Sequence, residues 1–196
     1  MALRLFNSAR SPFGRKLRII LIEKNLTFEE VTVDLDNRSA EFVALSPLGK
    51  VPVLVDGEMV IFDSTVVAEY LEDVFPHPAM FGLGVRQRLL HRTLDELGDH
   101  VAEQAVVAFF ALQSGDTEIA SSAFSRVSKA LAELERRASV HAWPSEFGVG
   151  DAAVISGCGY LTLRHGDDAL IACPNLREWL LAQDDRPSVA GSRPPI

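Results

Sequence analysis

The residues whose types and spacing could do chemistry fall in three short stretches of the N-terminal half. The first is Ser8-Ala-Arg-Ser11-Pro-Phe-Gly-Arg-Lys16. Ser is a favoured N-cap and Pro a favoured first helical residue, so Ser11-Pro12 marks a helix start. A hydroxyl there stands beside free N–H groups and the positive end of the helix dipole, a setting that favours negative charge. A thiol brought to it would have its pKa lowered, as cysteines at helix starts do. Lowering it by about 2 units takes roughly 2.7 kcal/mol of preference for thiolate over thiol. A hydroxyl hydrogen bond to an anion contributes about 1.5–3 kcal/mol of that. The competing reading is that Ser11 only caps a helix.

The second stretch is Ser46-Pro-Leu-Gly-Lys-Val-Pro-Val-Leu54. A cis Val51-Pro52 bond would turn the Val51 backbone outward, where an extended ligand could pair with it as an added strand. A trans bond would make this an ordinary turn. The third stretch is Asp63-Ser64, at another helix start. Ser64 N–H and hydroxyl suit a carboxylate, and Asp63 suits an ammonium or supports the cap.

The elements that must position these groups follow from periodicity and punctuation. Ala2 to Phe6 reads as a strand, and Phe13, Leu17, Ile20 and Leu21 share one helical face. Phe28 to Leu35 reads as the second strand, and Ser39 to Leu45 as a short helix. Val51 to Val55, Asp56-Gly57 and Met59 to Phe62 form a hairpin signal. A helix follows from about Thr65 to Val74. The order β-α-β-α-β-β-α predicts a small mixed sheet, with a parallel pair from the βαβ unit and antiparallel strands from the hairpin. Past the Pro-rich segment Phe75 to Gly82 the pattern is helical. Helices are expected over Arg86 to Leu112, Glu118 to Ala138, Asp151 to Arg164 and Pro174 to Ala182, with an irregular tail.

Taken together and in this order, Ser11-Pro-Phe-Gly-Arg-Lys16, Pro47-Leu-Gly-Lys-Val-Pro-Val-Leu54 and Asp63-Ser-Thr-Val-Val-Ala-Glu-Tyr-Leu71 resemble the glutathione transferases of the cytosolic type. The Ser-Pro-Phe form is similar to the tau-type and related bacterial members that use serine. The resemblance implies a thioredoxin-like α/β domain over residues 1–76, a linker over 77–84, and an all-helical domain over 85–196 that forms the electrophile pocket. It implies a cis Pro52, Ser11 bonded to the glutathione thiolate, and Val51 paired with the cysteinyl backbone. Phe13 belongs to the same site, Asp63 and Ser64 hold the γ-glutamyl end, and Lys50 and Arg38 are candidates for the glycyl carboxylate. Ser8 is a second hydroxyl in the same loop. The electrophile pocket would draw on Arg10, Phe13, Gln104, Ala108 and Phe109. Glutathione would be a co-substrate, the partner a small electrophile, and the assembly a homodimer. The family's helical-domain capping motif is altered in Phe147-Gly-Val-Gly-Asp151, where Gly148 replaces a hydroxyl residue and Asp151 is kept.

Composition narrows the classes. The 196 residues carry 27 acidic and 19 basic side chains, a formal charge of −8, which repels phosphate backbones and disfavours nucleic-acid binding. Arg10, Arg15, Lys16 and Arg18 form one local basic cluster. Cys158 and Cys173 give neither a disulfide framework nor a CxxC pair, and with no signal peptide a cytoplasmic location is expected. The longest apolar run is too short for a bilayer span. The histidines lack metal-site spacing, so no metal is expected. Asp95, Asp99 and Glu103 recur every four residues, which reads as a solvated or interface face. Two functions compete: an enzyme that activates the glutathione thiol for attack on an electrophile, and a non-catalytic glutathione- or ligand-binding regulatory protein on the same fold.

Overall fold

The structure is a computed structural model that describes residues 3–195. Ala2, expected to open the first strand, lies outside the described residues, as does Ile196. The expected arrangement is present. Four strands, β1 (Leu3–Asn7), β2 (Phe28–Thr32), β3 (Val53–Asp56) and β4 (Met59–Phe62), form one sheet in the order β2-β1-β3-β4. β1 runs parallel to β2 and antiparallel to β3, and β3 antiparallel to β4. Helices α1 (Pro12–Glu23), α2 (Ala40–Leu45) and α3 (Ser64–Val74) interleave with the strands. The result is a thioredoxin-like α/β unit followed by a helical unit.

Two strands are shorter than periodicity suggests, for local reasons. β2 stops at Thr32 because Asp34 turns the chain, its carboxylate accepting from the N–H groups of Asp36 and Asn37. β3 begins at Val53 because Pro52 has no N–H to give the ladder. The helical unit comprises α4 (Gly84–Gln113), α5 (Thr117–Ser139), α6 (Val149–His165), a 3-10 turn (Asp167–Leu170), α7 (Pro174–Gln183) and α8 (Pro187–Ala190). The 3-10 turn and α8 carry no signal in the apolar pattern, being too brief to show a period, and α8 corrects the expectation of a wholly irregular tail.

The core does not respect the change of architecture. Leu5, Leu17, Ile20, Leu54, Val67 and Leu71 of the α/β unit pack in one cluster with Met80, Phe81, Val149, Ala152, Ile155 and Val189. A second cluster joins α4, α5, α6 and α7 around Leu94, Val101, Leu134, Val154 and Leu176. The connecting segment is pinned from beneath. Buried Lys24 donates to the carbonyls of Phe75 (2.7 Å) and Pro78 (2.9 Å) and to Glu72 (2.8 Å). Glu72 in turn accepts from the backbone N–H groups of Met80 and Phe81.

Candidate functional site

Ser11 takes an extended conformation at the N-cap of α1, and its Oγ accepts a hydrogen bond from Gly14 N–H at 3.1 Å. Its own N–H donates to the Ser8 carbonyl at 2.9 Å, which closes the loop between β1 and the helix. The cap therefore uses one lone pair of the Ser11 hydroxyl and leaves its proton available to an acceptor.

Between α2 and β3, the Ser46 hydroxyl donates to the Lys50 carbonyl (2.8 Å) and accepts from Lys50 N–H (3.0 Å). This clamp delivers Lys50, Val51 and Pro52 to the end of the sheet, and the Val51-Pro52 bond is cis. At the start of α3, Asp63 sits at φ 73°, a region that Asp tolerates better than most side chains. Its carboxylate accepts from Thr65 N–H (2.9 Å) and Val66 N–H (3.3 Å), and its carbonyl from Val67 N–H. Of the first-turn groups, this leaves the Ser64 N–H and hydroxyl at the helix end.

The second and third of these places converge, together with Phe13 of α1. One cleft of about 250 Å3 is lined by Phe13 of α1, by Lys50, Val51 and Pro52, and by Asp63 and Ser64. Arg38 is not among its lining; the guanidinium lies over the face of Gly49, next to Lys50. Ser11 does not line it either. Together with Arg10, Ser11 borders a recess of about 10 Å3 closed by Ser156, Tyr160 and Leu163 of α6 and by Pro194. Gln104 and Ala108 are buried in α4, and Phe109 lies under the Arg164 guanidinium at 4.1 Å.

The far wall of the cleft is α4, through Glu96, Asp99, His100 and Glu103. Here the structure corrects the reading of Asp95 and Asp99 as part of a solvated face. Lys16 is fully buried, and its Nζ donates to Asp95 at 2.8 Å and to Asp99 at 2.6 Å, while Thr65 Oγ1 donates to Asp99 at 3.3 Å. Lys16 is thereby withdrawn from the local basic cluster of Arg10, Arg15 and Arg18. Burial works against its charge, but the two carboxylates hold its pKa above the ordinary value. Burial pushes the Asp99 carboxyl up to about 6, against the pull of Lys16. Among the described residues no group of His, Cys, Asp and Glu is placed to hold a metal ion, and no helix is long and apolar enough to cross a membrane.

Residues 5–79 match the glutathione S-transferase N-terminal domain family. The chain is 31% identical over 156 residues to glutathione S-transferase 1 of Dianthus caryophyllus, covering 76% of this chain and 70% of that one. It is 41% identical over 111 residues to the uncharacterized GST-like protein YibF of Escherichia coli, covering 54% and 53% of the two chains. A stringent starvation protein A homolog of Haemophilus influenzae is 37% identical over 76 residues, 39% of this chain and 36% of that one. The chain thus spans about half the length of YibF and about a third of that of the stringent starvation protein A homolog. Among solved structures, a glutathione S-transferase of Methylobacterium radiotolerans, in complex with glutathione sulfonate, superposes with a TM-score of 0.92 at 29% identity, over 100% of this chain and 96% of that one.

Proposed function

Because the chain belongs to the glutathione S-transferase family, we propose that it binds glutathione in the cleft between α1, β3 and α3. There it would activate the thiol as thiolate for addition to, or substitution at, an electrophilic small molecule. The observation that carries this reading is the convergence of Phe13, Lys50, Val51, Pro52, Asp63 and Ser64 on one cleft. Each end of glutathione then finds its chemical counterpart. The Ser64 N–H and hydroxyl suit the γ-glutamyl carboxylate, Asp63 the ammonium, the Val51 backbone the cysteinyl amide, and Lys50 the glycyl carboxylate, with Arg38 behind it.

The thiol must reach past the end of this cleft to the α1 cap, where Ser11 donates its free proton to sulfur. The role is stabilisation of the thiolate by a donor already in place, not removal of its proton by a base. Phe13 and Arg10 would flank the electrophile, with Phe109 on the α4 side; Gln104 and Ala108, buried in helix packing, are the more remote members of that pocket. The Ser-Pro-Phe start supports a place in the serine-using, tau-like and bacterial branch, and with it we propose a role in detoxification in the cytoplasm. Residues 1–76 would form the glutathione-binding domain, 77–84 the linker and 85–196 the helical domain. A homodimer is favoured by apolar side chains left exposed on β4 and on the first turns of α4, Met59, Val60, Val85 and Leu89 among them. Sedimentation should then give twice the chain mass of 21.4 kDa.

Ser11→Ala is the test. It should raise the pKa of the bound thiol and cut turnover of a model electrophile by about 10–100-fold, the worth of one hydrogen bond to a charge, while glutathione affinity stays nearly unchanged. Unchanged turnover would remove Ser11 from the mechanism. The second reading, a binding or regulatory protein without turnover, is favoured by the position of Ser11 outside the cleft lining. Retention on immobilised glutathione with no turnover of any electrophile would select it.

A further inference from the structure

A second cavity lies on the other side of α1 from the cleft. It measures about 300 Å3, within the ~300–1,000 Å3 typical of small-molecule sites. Its walls come from α1, α6, the 3-10 turn and α7, and none of its lining residues belongs to the cleft. The apolar part is Ile155, Leu170, Leu180 and Leu181.

What sets it apart is Arg15. This side chain is half-buried, yet it forms no hydrogen bond or ion pair among the described residues, and its Nε is wholly enclosed without a partner. A half-buried cation with an enclosed N–H left unbonded is costly, and such groups are normally paired. Its approach is built into α6. A Cβ on Gly159 would lie 2.4 Å from Arg15 Nη1, so the guanidinium occupies space that only glycine leaves. Burial, with Arg193 and Arg18 adding like charge, pulls the guanidinium down to about 10, and the opposing pull of Asp184 does not restore it. Asp184 already pairs with Arg193 at 3.4 Å. At the rim stand Arg177 and Asp167, one charge of each sign.

We propose that this cavity is a second binding site, separate from the cleft, for a small organic monoanion: a carboxylate on Arg15, with a short apolar body against Ile155, Leu170 and Leu180. The bound carboxylate supplies the bonded partner that Asp184, engaged with Arg193, does not provide. Asp167 and Asp184 select against a second negative charge, which separates this ligand from glutathione with its two carboxylates.

The probe is octanoate, titrated calorimetrically into the full chain at saturating glutathione, with octan-1-ol as the neutral control. Octanoate should bind, and octanol at least about tenfold more weakly. Arg15→Met should lower octanoate affinity at least about tenfold and leave octanol unchanged. Its melting temperature without ligand should equal or exceed that of the unsubstituted chain, because a half-buried charge without a bonded partner has gone. Gly159→Ala keeps the arginine but displaces the guanidinium, and should weaken octanoate likewise. The proposal is overturned if octanoate and octanol bind alike, if glutathione competes with octanoate, if no octanoate binds to the folded chain, or if both folded variants keep full affinity.

Discussion

At the residue scale, the feature that most needed the structure is the cluster of Lys16, Asp95 and Asp99. In the sequence, Lys16 looks like part of a local basic cluster and the two aspartates like a solvated or interface helix face. The partners are 79 and 83 positions apart, so no local pattern could join them. The folded chain sets one cation between two acids, with Thr65 as a further donor to Asp99, at the back of the cleft. Such a cluster has a definite pH signature. The Asp99 carboxyl titrates at about 6 in the folded chain and near 3.8 in the unfolded one. Between those values the folded state holds the extra proton. Ionised Asp99 therefore subtracts stability above about pH 6, and the subtraction is gone below 3.8. Asp99→Asn removes the titration. Relative to the unsubstituted chain, its stability should drop by about 1 kcal/mol as the pH is lowered from about 7 to 5. Thermal melts across that range check this, and a difference that does not move with pH would count against a raised Asp99.

At the scale of elements, most of the framework was legible because its signals are local. Ser11-Pro12, Ser39 and Asp63 each cap the helix expected after them, and Gly57 takes φ 60° in the turn of the expected hairpin. Where the chain departs from the family's capping motif, the reason is contact rather than propensity. A Cβ on Gly148 would lie 2.1 Å from the Met80 carbonyl and 2.4 Å from the His91 ring. The cap survives because Asp151 accepts from Gly148 N–H at 2.8 Å, and the same carboxylate accepts from the Trp143 indole. What the sequence could not show is how the helix starts are shared between folding and binding, and Asp63 separates the two. Asp63→Asn keeps a capping oxygen and tolerance of φ 73°, so the melting temperature should hold. Asp63→Ala loses the cap and adopts the left-handed region poorly, for a loss of about 1–3 kcal/mol. If Asp63 meets the glutathione ammonium, both variants should weaken glutathione about tenfold or more in calorimetric titration. An Asn variant that binds as tightly as the original would reduce Asp63 to a cap alone.

At the scale of the molecule, the question is whether the α/β unit is a domain in the sense of folding alone. Composition changes sharply near Pro78, and a boundary there is natural on sequence. The packing argues the other way. Met80, Phe81, Val149, Ile155 and Val189 complete the core beneath α1 and α3, and each fully buried side chain of this kind contributes about 1.5–3 kcal/mol. Removing five of them takes away as much as the ~5–15 kcal/mol by which a typical domain is stable. Polar terms add to the loss. A fragment ending at residue 76 strips Lys24 of the Pro78 carbonyl and Glu72 of the Met80 and Phe81 N–H groups. It also strips Lys16 of Asp95 and Asp99, its two ion-pair partners. The fragment 1–76 should therefore show no cooperative thermal transition, whereas the full chain should melt in one step by both far-ultraviolet dichroism and tryptophan fluorescence. The second probe reports on Trp143 and Trp179, which touch at a ring separation of 4.5 Å within the helical unit. Two resolved steps, or a fragment that melts cooperatively, would mean that the α/β unit carries its own core and that the helices only cover it.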